Sequence, residues 1–292
     1  MKKGTVRLIF IIMFILGIVI LLYPSISQYY NSFVQSSAVS NYDKIFANMK
    51  DKDYSKDFKD ADKYNEQLFK LKYPLAQYKK ISGYKDLLNV NNNGMMGYIS
   101  INKIKVEIPI YHGTGASVLN VAVGHLEGSS LPVGGKSTHS VLSAHRGLPS
   151  AKLFTDLNKI EVGDIFEITV LDRKLTYQVD KISVVEPNDV TNLKIKKNED
   201  YVTLMTCTPY GLNTHRLLVR GVRIENIENK KIYVTTEAFK INSLIVAPIV
   251  ASPIILVLLL IVAFKPVNNQ PKKKIIDEYL NINKKFGGKN NA

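Results

Sequence analysis

One cysteine, Cys207, ends a β-patterned run that begins Tyr201-Val202-Thr203-Leu204-Met205, and an arginine, Arg216, stands nine residues further on. Thr208-Pro209-Tyr210-Gly211 must turn directly after the thiol. A lone cysteine cannot close an intramolecular disulfide, so it is either a buried small hydrophobe or a working thiol. Its place at the mouth of a strand, faced by a guanidinium from the next run, favours an acyl-transfer nucleophile. Such a site also needs a proton carrier and a group that stabilises an oxyanion.

Five histidines compete for the proton: His112, His125, His139, His145 and His215. His145 is the best placed, closing the apolar run 140–144 just before Arg146-Gly147, and His125 is the next choice. His215 adjoins Arg216, and neighbours in a strand point to opposite faces, so only one of the two can face the thiol. Arg216 offers fixed planar donors for an oxyanion and can lower the pKa of a nearby thiol. Arg220 and Arg223 are the alternatives in the same run, where Arg216 would be a plain surface residue. A metal centre fits poorly, because no histidine pair has ligand spacing on a helix and the thiol has no ligand cluster beside it. No cofactor is expected.

The elements that must position these residues lie between Gly97 and residue 236. Runs at 98–101, 106–110, 140–144, 165–170, 175–179, 182–185, 201–207, 215–224 and 231–236 read as seven to nine short strands of a barrel or sandwich. Ala151–Asn158 is expected to make one or two helical turns. Residues 39–90 differ, being rich in charge with apolar residues at helical spacing (Tyr42, Ile45, Phe46, Met49), and predict one or two exposed helices. Pro74 should interrupt any helix there. This stretch is either a spacer or a regulatory flap.

Two uncharged runs account for part of the 46 % hydrophobic content. Leu8–Tyr23, behind Lys2, Lys3 and Arg7, reaches only about 24 Å as a helix and is either a short anchor or a signal-peptide core cleaved near Ser25–Ser27. Leu244–Phe264 is long enough to cross a bilayer despite Pro248 and Pro253. Basic residues crowd both flanks: Lys2, Lys3 and Arg7 at one end, and seven lysines against Asp277 and Glu278 at the other. They supply +8 of the formal +14, so the positive-inside rule puts both termini in the cytoplasm and the middle outside. Nucleic-acid binding explains this placement poorly, since no recognition motif accompanies the charge.

TLMTC (203–207) followed by THR (214–216) resembles the active-site signature of sortases, membrane-anchored cysteine transpeptidases of Gram-positive bacteria. The longer stretches MGYISINKIKVEIPIYHGT, GHLEGSSLPVGG, THSVLSAHRGLP, LFTDL and TCTPYGLNTHRLLVRG resemble class C, the pilin-polymerising sortases, across about residues 96–224. The resemblance implies a closed eight-stranded β-barrel with peripheral helices, an N-terminal helical extension and two terminal membrane segments. It implies Cys207 as nucleophile, His145 as general acid/base and Arg216 as oxyanion and substrate partner, with the other four histidines as framework.

The implied domains are a basic flank and N-terminal anchor at 1–28, a helical extension with a possible lid at 29–92 and the catalytic barrel at 93–238. A transmembrane helix at 239–264 and a cytoplasmic tail at 265–292 complete them. The implied partners are LPxTG-type pilin or surface-protein substrates and a lysine amine of a pilin subunit. Class C chains usually carry an Asp-Pro-aromatic lid over the active site. Here the region holds one proline, in Tyr73-Pro74-Leu75, and no Asp-Pro pair. Either this tripeptide is a lid lacking an acidic contact to Arg216, or the groove is open. Two alternatives stand beside pilus polymerisation: a sortase that anchors proteins to peptidoglycan, and a non-enzymatic membrane-tethered scaffold in which Cys207 is buried and unreactive.

Overall fold

The computed structural model describes residues 3–48, 53–89 and 92–226, together with the single positions Ile255, Glu278 and Asn281. The expected strand at 231–236 and the expected membrane segment at 244–264 lie outside the described residues. The chain divides into two compact units, residues 1–20 with 238–292, and residues 21–237. In the first unit, residues 3–20 are helical. All residues discussed as a site belong to the second.

Eight strands close a barrel: β1 (Met95–Ile101), β2 (Val106–His112), β3 (Val123–His125), β4 (Thr138–Ser143), β5 (Ile165–Val170), β6 (Arg173–Val185), β7 (Asp200–Thr208) and β8 (His215–Ile224). Their order around the barrel is β1-β2-β3-β4-β7-β8-β6-β5, with β5 pairing back onto β1. The β2–β3 and β4–β7 pairs are parallel and the rest antiparallel. Strand residues alternate between two environments. Ile99, Ile101, Ile108, Ile110, Leu142, Leu204, Val219, Phe166 and Tyr177 fill the barrel core. Val141, Leu193 and Leu218 form a second, smaller apolar cluster.

Two expectations are refined. The runs 175–179 and 182–185 form one long strand, β6, whose register against β8 shifts between Val179 and Lys181, so a bulge carries the strand through. The strand β3 was not anticipated, because three residues, Val123-Gly124-His125, are too few for a period of two to register. At 151–158 the chain makes turns, with a short 3-10 segment at Leu157–Lys159, and no α-helix.

The N-terminal extension is helical as expected: α1 (Lys3–Asn48, with Pro24 inside it), α2 (Ser55–Phe69) and α3 (Pro74–Gln77). Helix α2 buries Phe58, Ala61, Tyr64, Asn65 and Leu68, an i, i+3, i+4 stripe that explains why a charge-rich segment docks. Asn65 fixes its register, donating to Leu131 O at 3.2 Å and accepting from Leu131 N at 2.7 Å. Each large apolar side chain on this stripe contributes roughly 1.5–3 kcal/mol. Pro74 starts α3 at its first position, where its missing N–H costs nothing. A short helix α4 (Ala116–Leu119) precedes β3.

Candidate active site

The antiparallel register of β7 and β8 sets Cys207 directly opposite Arg216. On the other side of β7, the parallel register with β4 pairs Ser143 with Met205, and the Ala144 N–H continues the ladder to Met205 O at 3.1 Å. Two residues on, His145 comes level with Cys207. His145, Cys207 and Arg216 therefore form one row across three adjacent chain segments at the end of the barrel where β4 and β7 finish and β8 begins. All three are partly exposed, and the single thiol is free. By strand alternation they share the face that carries Val141, Met205 and Leu218, while Leu142, Ala144, Val202, Leu204, Leu217 and Val219 point into the main core.

The backbone ladder between β4 and β7 stops before His145, and side chains take over. Thr206 Oγ1 donates to Ala144 O at 2.8 Å on one flank of the row. Arg146 Nη1 donates to Thr208 Oγ1 at 3.0 Å on the other. Residues on either side of His145 and Cys207 are thus tied together. The Tyr210 ring lies close over Gly147: a Cβ there, where φ is +74°, would come within 2.6 Å of it. Only glycine fits under that ring with that backbone. The His145 carbonyl accepts from Phe154 N at 3.1 Å, which anchors the following loop.

Arg216 is held by the turn before it, with Nη1 donating to Asn213 O at 3.2 Å and His215 O at 3.1 Å. Those carbonyls are its hydrogen-bond partners among the described residues. The Nη2 and Nε donors of the fork have no hydrogen-bond partner among the described residues.

The remaining histidines serve other ends. His125 is fully buried, with Nε2 donating to Ser130 O at 2.8 Å and Nδ1 accepting from Tyr84 Oη at 2.9 Å. His139 has Nδ1 donating to Lys194 O at 3.0 Å and Nε2 accepting from Thr203 Oγ1 at 2.7 Å. Burial lowers the pKa of each to about 4, so both are neutral packing groups. His112 bonds the carbonyls of Gly94 and Leu87 through its two ring nitrogens. His215 is exposed beside Thr214, on the opposite face from Arg216. His125, the second choice for the proton carrier, is thereby separated from the row by its burial inside the barrel wall.

Of Tyr73, Pro74 and Leu75, the last two lie against the outer face of the barrel. Leu75 packs on the Val141–Leu193–Leu218 cluster, together with Leu126, Val185 and Met205. The backbone beneath is Gly128, φ +87°, where a Cβ would stand 2.8 Å from Leu75 Cα and 3.0 Å from Pro74 O. Tyr78 latches the same segment, its hydroxyl donating to Glu127 Oε2 at 3.0 Å, and that bond raises the Tyr78 pKa. Tyr73 is exposed, with Lys72 Nζ 5.4 Å from its ring centre. Of this tripeptide, Leu75 makes the apolar contact and Tyr73 does not share it.

The Arg146–Thr208 and Thr206–Ala144 ties were not foreseen. Nothing in the sequence signals them, since the partners are 62 residues apart and meet only through the β4–β7 register.

The sortase domain family matches residues 99–224. Sortase D of Bacillus subtilis is 29 % identical over 131 residues, which make up 44 % of this chain and 63 % of that protein. The chain thus spans less than two thirds of the length of the curated relatives it matches. Among solved structures, sortase C1 of Streptococcus agalactiae is 47 % identical with a TM-score of 0.59, covering 65 % of this chain and 100 % of that one. Sortase C of Clostridium perfringens, solved with the C-terminal cell wall sorting motif, is 44 % identical with a TM-score of 0.57, covering 65 % and 100 %. Sortase C of Streptococcus pneumoniae is 44 % identical with a TM-score of 0.59, covering 65 % and 97 %. A barrel of this topology, a thiol row at its mouth and these likenesses lead to one assignment: the chain belongs to the sortase family of cysteine transpeptidases, among the class C sortases.

Proposed function

We propose that this protein is a membrane-anchored transpeptidase that cuts an LPxTG-like sorting signal of pilin subunits and joins the threonine carbonyl to a lysine amine of the next subunit. Cys207 acts as nucleophile, His145 as general acid/base and Arg216 as oxyanion partner. The observation that carries this reading is the gathering of those three residues where β4 and β7 end and β8 begins, with His145 two residues past β4.

The Cys207 thiolate adds to the threonine carbonyl carbon, and the carbonyl oxygen becomes an oxyanion opposite the free donors of Arg216. The C–N bond to glycine then breaks while His145 gives its proton to the departing amine. What remains is a thioester on Cys207. A lysine amine attacks that carbonyl, His145 takes its proton, and the thiolate leaves as an isopeptide bond forms. Only about 0.04 % of free lysine is deprotonated at pH 7, so aminolysis outruns hydrolysis only where the amine is docked and water restricted. The apolar surface under Leu75 provides such a restricted face once the segment lifts. Leu75 there acts as a lid held by packing and by the Tyr78–Glu127 latch.

Helix α1 carries a span, Ile9–Ala47, apolar enough to anchor the protein at its N-terminus. With the charge pattern of the termini, this supports a barrel outside the cytoplasmic membrane and both ends inside.

The test is mass spectrometry of the protein after incubation with an LPxTG-type peptide. A peptide thioester on Cys207, prevented by prior alkylation, is expected. Absence of any adduct on a thiol that alkylates freely, even with Leu75 replaced, would remove the proposed substrate class.

A further inference from the structure

Met205 stands two residues before Cys207 on β7, so the two side chains share one face of the strand. The registers place it between Ser143 of β4 and Leu218 of β8, directly beside the level of the thiol. There it packs, with Leu75, Leu126 and Val185, against the Val141–Leu193–Leu218 cluster. Its thioether therefore belongs to the apolar floor on one side of Cys207. The other side is bounded by the polar bond between Arg146 and Thr208.

Sulfur sets Met205 apart from these neighbours. Every other member of the cluster is Val or Leu, whose hydrocarbon side chains a mild oxidant leaves alone. Leucine and methionine exchange at little cost to packing, so the floor has no steric need of a sulfur. The barrel strands hold three methionines among the described residues. Met95 and Met96, at the start of β1, are 3 % and 0 % exposed and sealed from an oxidant in water. Met205 is partly exposed. A water-borne oxidant thus reaches one strand methionine, and that one adjoins the thiol.

We propose that Met205 is a reversible oxidation site that tunes the apolar flank of Cys207. The oxidant is a peroxide. The thioether sulfur gives a lone pair to one peroxide oxygen, the O–O bond breaks, and the other oxygen leaves as water. Sulfur is oxidised to the sulfoxide and the peroxide is reduced, with no further reactant. A polar, chiral group then stands where a flexible apolar one stood, and methionine sulfoxide reductases reverse the change. The cluster offers the new oxygen no donor. A bond from Ser143 would draw the side chain off the cluster, and without one an unpaired oxygen faces hydrocarbon. Either way the floor is no longer apolar. The effect on acylation rests on the proposed transpeptidase reading, in which an apolar residue of the sorting signal meets this flank; the oxidation itself does not.

The test uses the full-length protein with Cys207 first capped as a methyl disulfide, because a thiolate also reacts with peroxide. After hydrogen peroxide, dithiothreitol removes the cap and leaves the sulfoxide, and peptides are mapped by mass spectrometry. Met205 should gain an oxygen well before Met95 or Met96. Thioester formation with an LPxTG-type peptide should then fall at least about fivefold, the scale of an unpaired polar group set against hydrocarbon. Iodoacetamide should still alkylate Cys207 as before, and methionine sulfoxide reductases should restore the acylation rate. Met205→Leu should show the same rate with and without peroxide. Met205→Gln, folded by thermal melts, should be slow before any peroxide is added. Oxidation of Met205 no faster than that of Met95 and Met96 would overturn the proposal. So would unchanged acylation in the oxidised protein, or an equal loss in Met205→Leu. If the unoxidised protein formed no thioester, the transpeptidase reading would fail and this proposal would be decided separately. The oxidation map would still be read, together with the rate of Cys207 alkylation by N-phenylmaleimide relative to iodoacetamide. That ratio should fall as the flank turns polar, and an unchanged ratio would end the idea.

Discussion

Cys207 and Arg216 stand opposite each other as a cross-strand pair, and the Arg216 fork is held from behind by the carbonyls of Asn213 and His215. Side chains opposite in an antiparallel pair lie within about 5.5 Å at Cβ, so the register puts the root of the Arg216 side chain next to that of Cys207. Its bonds to the turn use Nη1 alone, and a lysine could not both keep them and reach an oxyanion. Arg216→Lys is therefore expected to lower kcat by about two to three orders of magnitude, the usual loss for an oxyanion donor. Single-turnover acylation would measure it, and wild-type-like turnover would reduce Arg216 to scaffold.

His145 stands alone among the histidines in reaching the row. His145→Ala should cost at least about a hundredfold in kcat, within the range of acid–base residues. His125→Gln, by contrast, should alter stability and leave the chemistry of the folded protein nearly untouched. If the two effects came out reversed, the assignment of the proton carrier would have to move.

The Arg146–Thr208 tie adjoins both His145 and Cys207, which makes these two positioning residues if the proposed roles hold. Thr208→Val should lower kcat about tenfold or more with KM unchanged, because displacement by a fraction of an ångström at the reacting groups is costly. Thr208→Ser keeps the hydroxyl and should restore most of the rate. A merely structural threonine would show the same kcat for Ser and Val once folding is matched by thermal melts.

Leu75 packs on the Val141–Leu193–Leu218 cluster, and the Tyr78–Glu127 bond holds the same segment. A half-buried leucine of this kind contributes around 1.5 kcal/mol, which is about tenfold in the population of an open groove. Leu75→Lys should thus raise both Cys207 alkylation and peptide turnover by about that factor. Glu127→Gln, which weakens the Tyr78 latch, should act in the same direction and less strongly. If neither variant changes the alkylation rate, the segment is a fixed part of the wall and not a lid.

Burial lowers His125 and His139 to about 4, below the ordinary histidine value of 6.5. The unfolded chain then takes up protons first as pH falls, so their stabilisation is complete above about pH 6.5 and is lost progressively down to about pH 4. Each shift corresponds to a loss on the order of 3 kcal/mol. Thermal melts at pH 7.5, 6 and 4.5 should fall steeply, and less steeply for a His125→Gln, His139→Gln variant. Equal slopes in the two proteins would contradict the assignment.

The sequence alone determined which residue types are available and much of the frame. Residue type settles that Cys207 is the sole thiol, strand parity sets His215 and Arg216 on opposite faces, and alternating apolar runs mark most strands. These are local properties, carried by neighbours two to four residues apart. The tertiary structure decided what depends on register between distant segments. It brought His145 level with Cys207 across 62 residues, joined Arg146 to Thr208, and formed β3, whose three residues are stabilised only by strands on either side. It also decided where Leu75 packs. Tyr73-Pro74-Leu75 lacks an acidic partner for Arg216, yet Leu75 finds an apolar cluster that exists only once β4, β7 and β8 lie side by side.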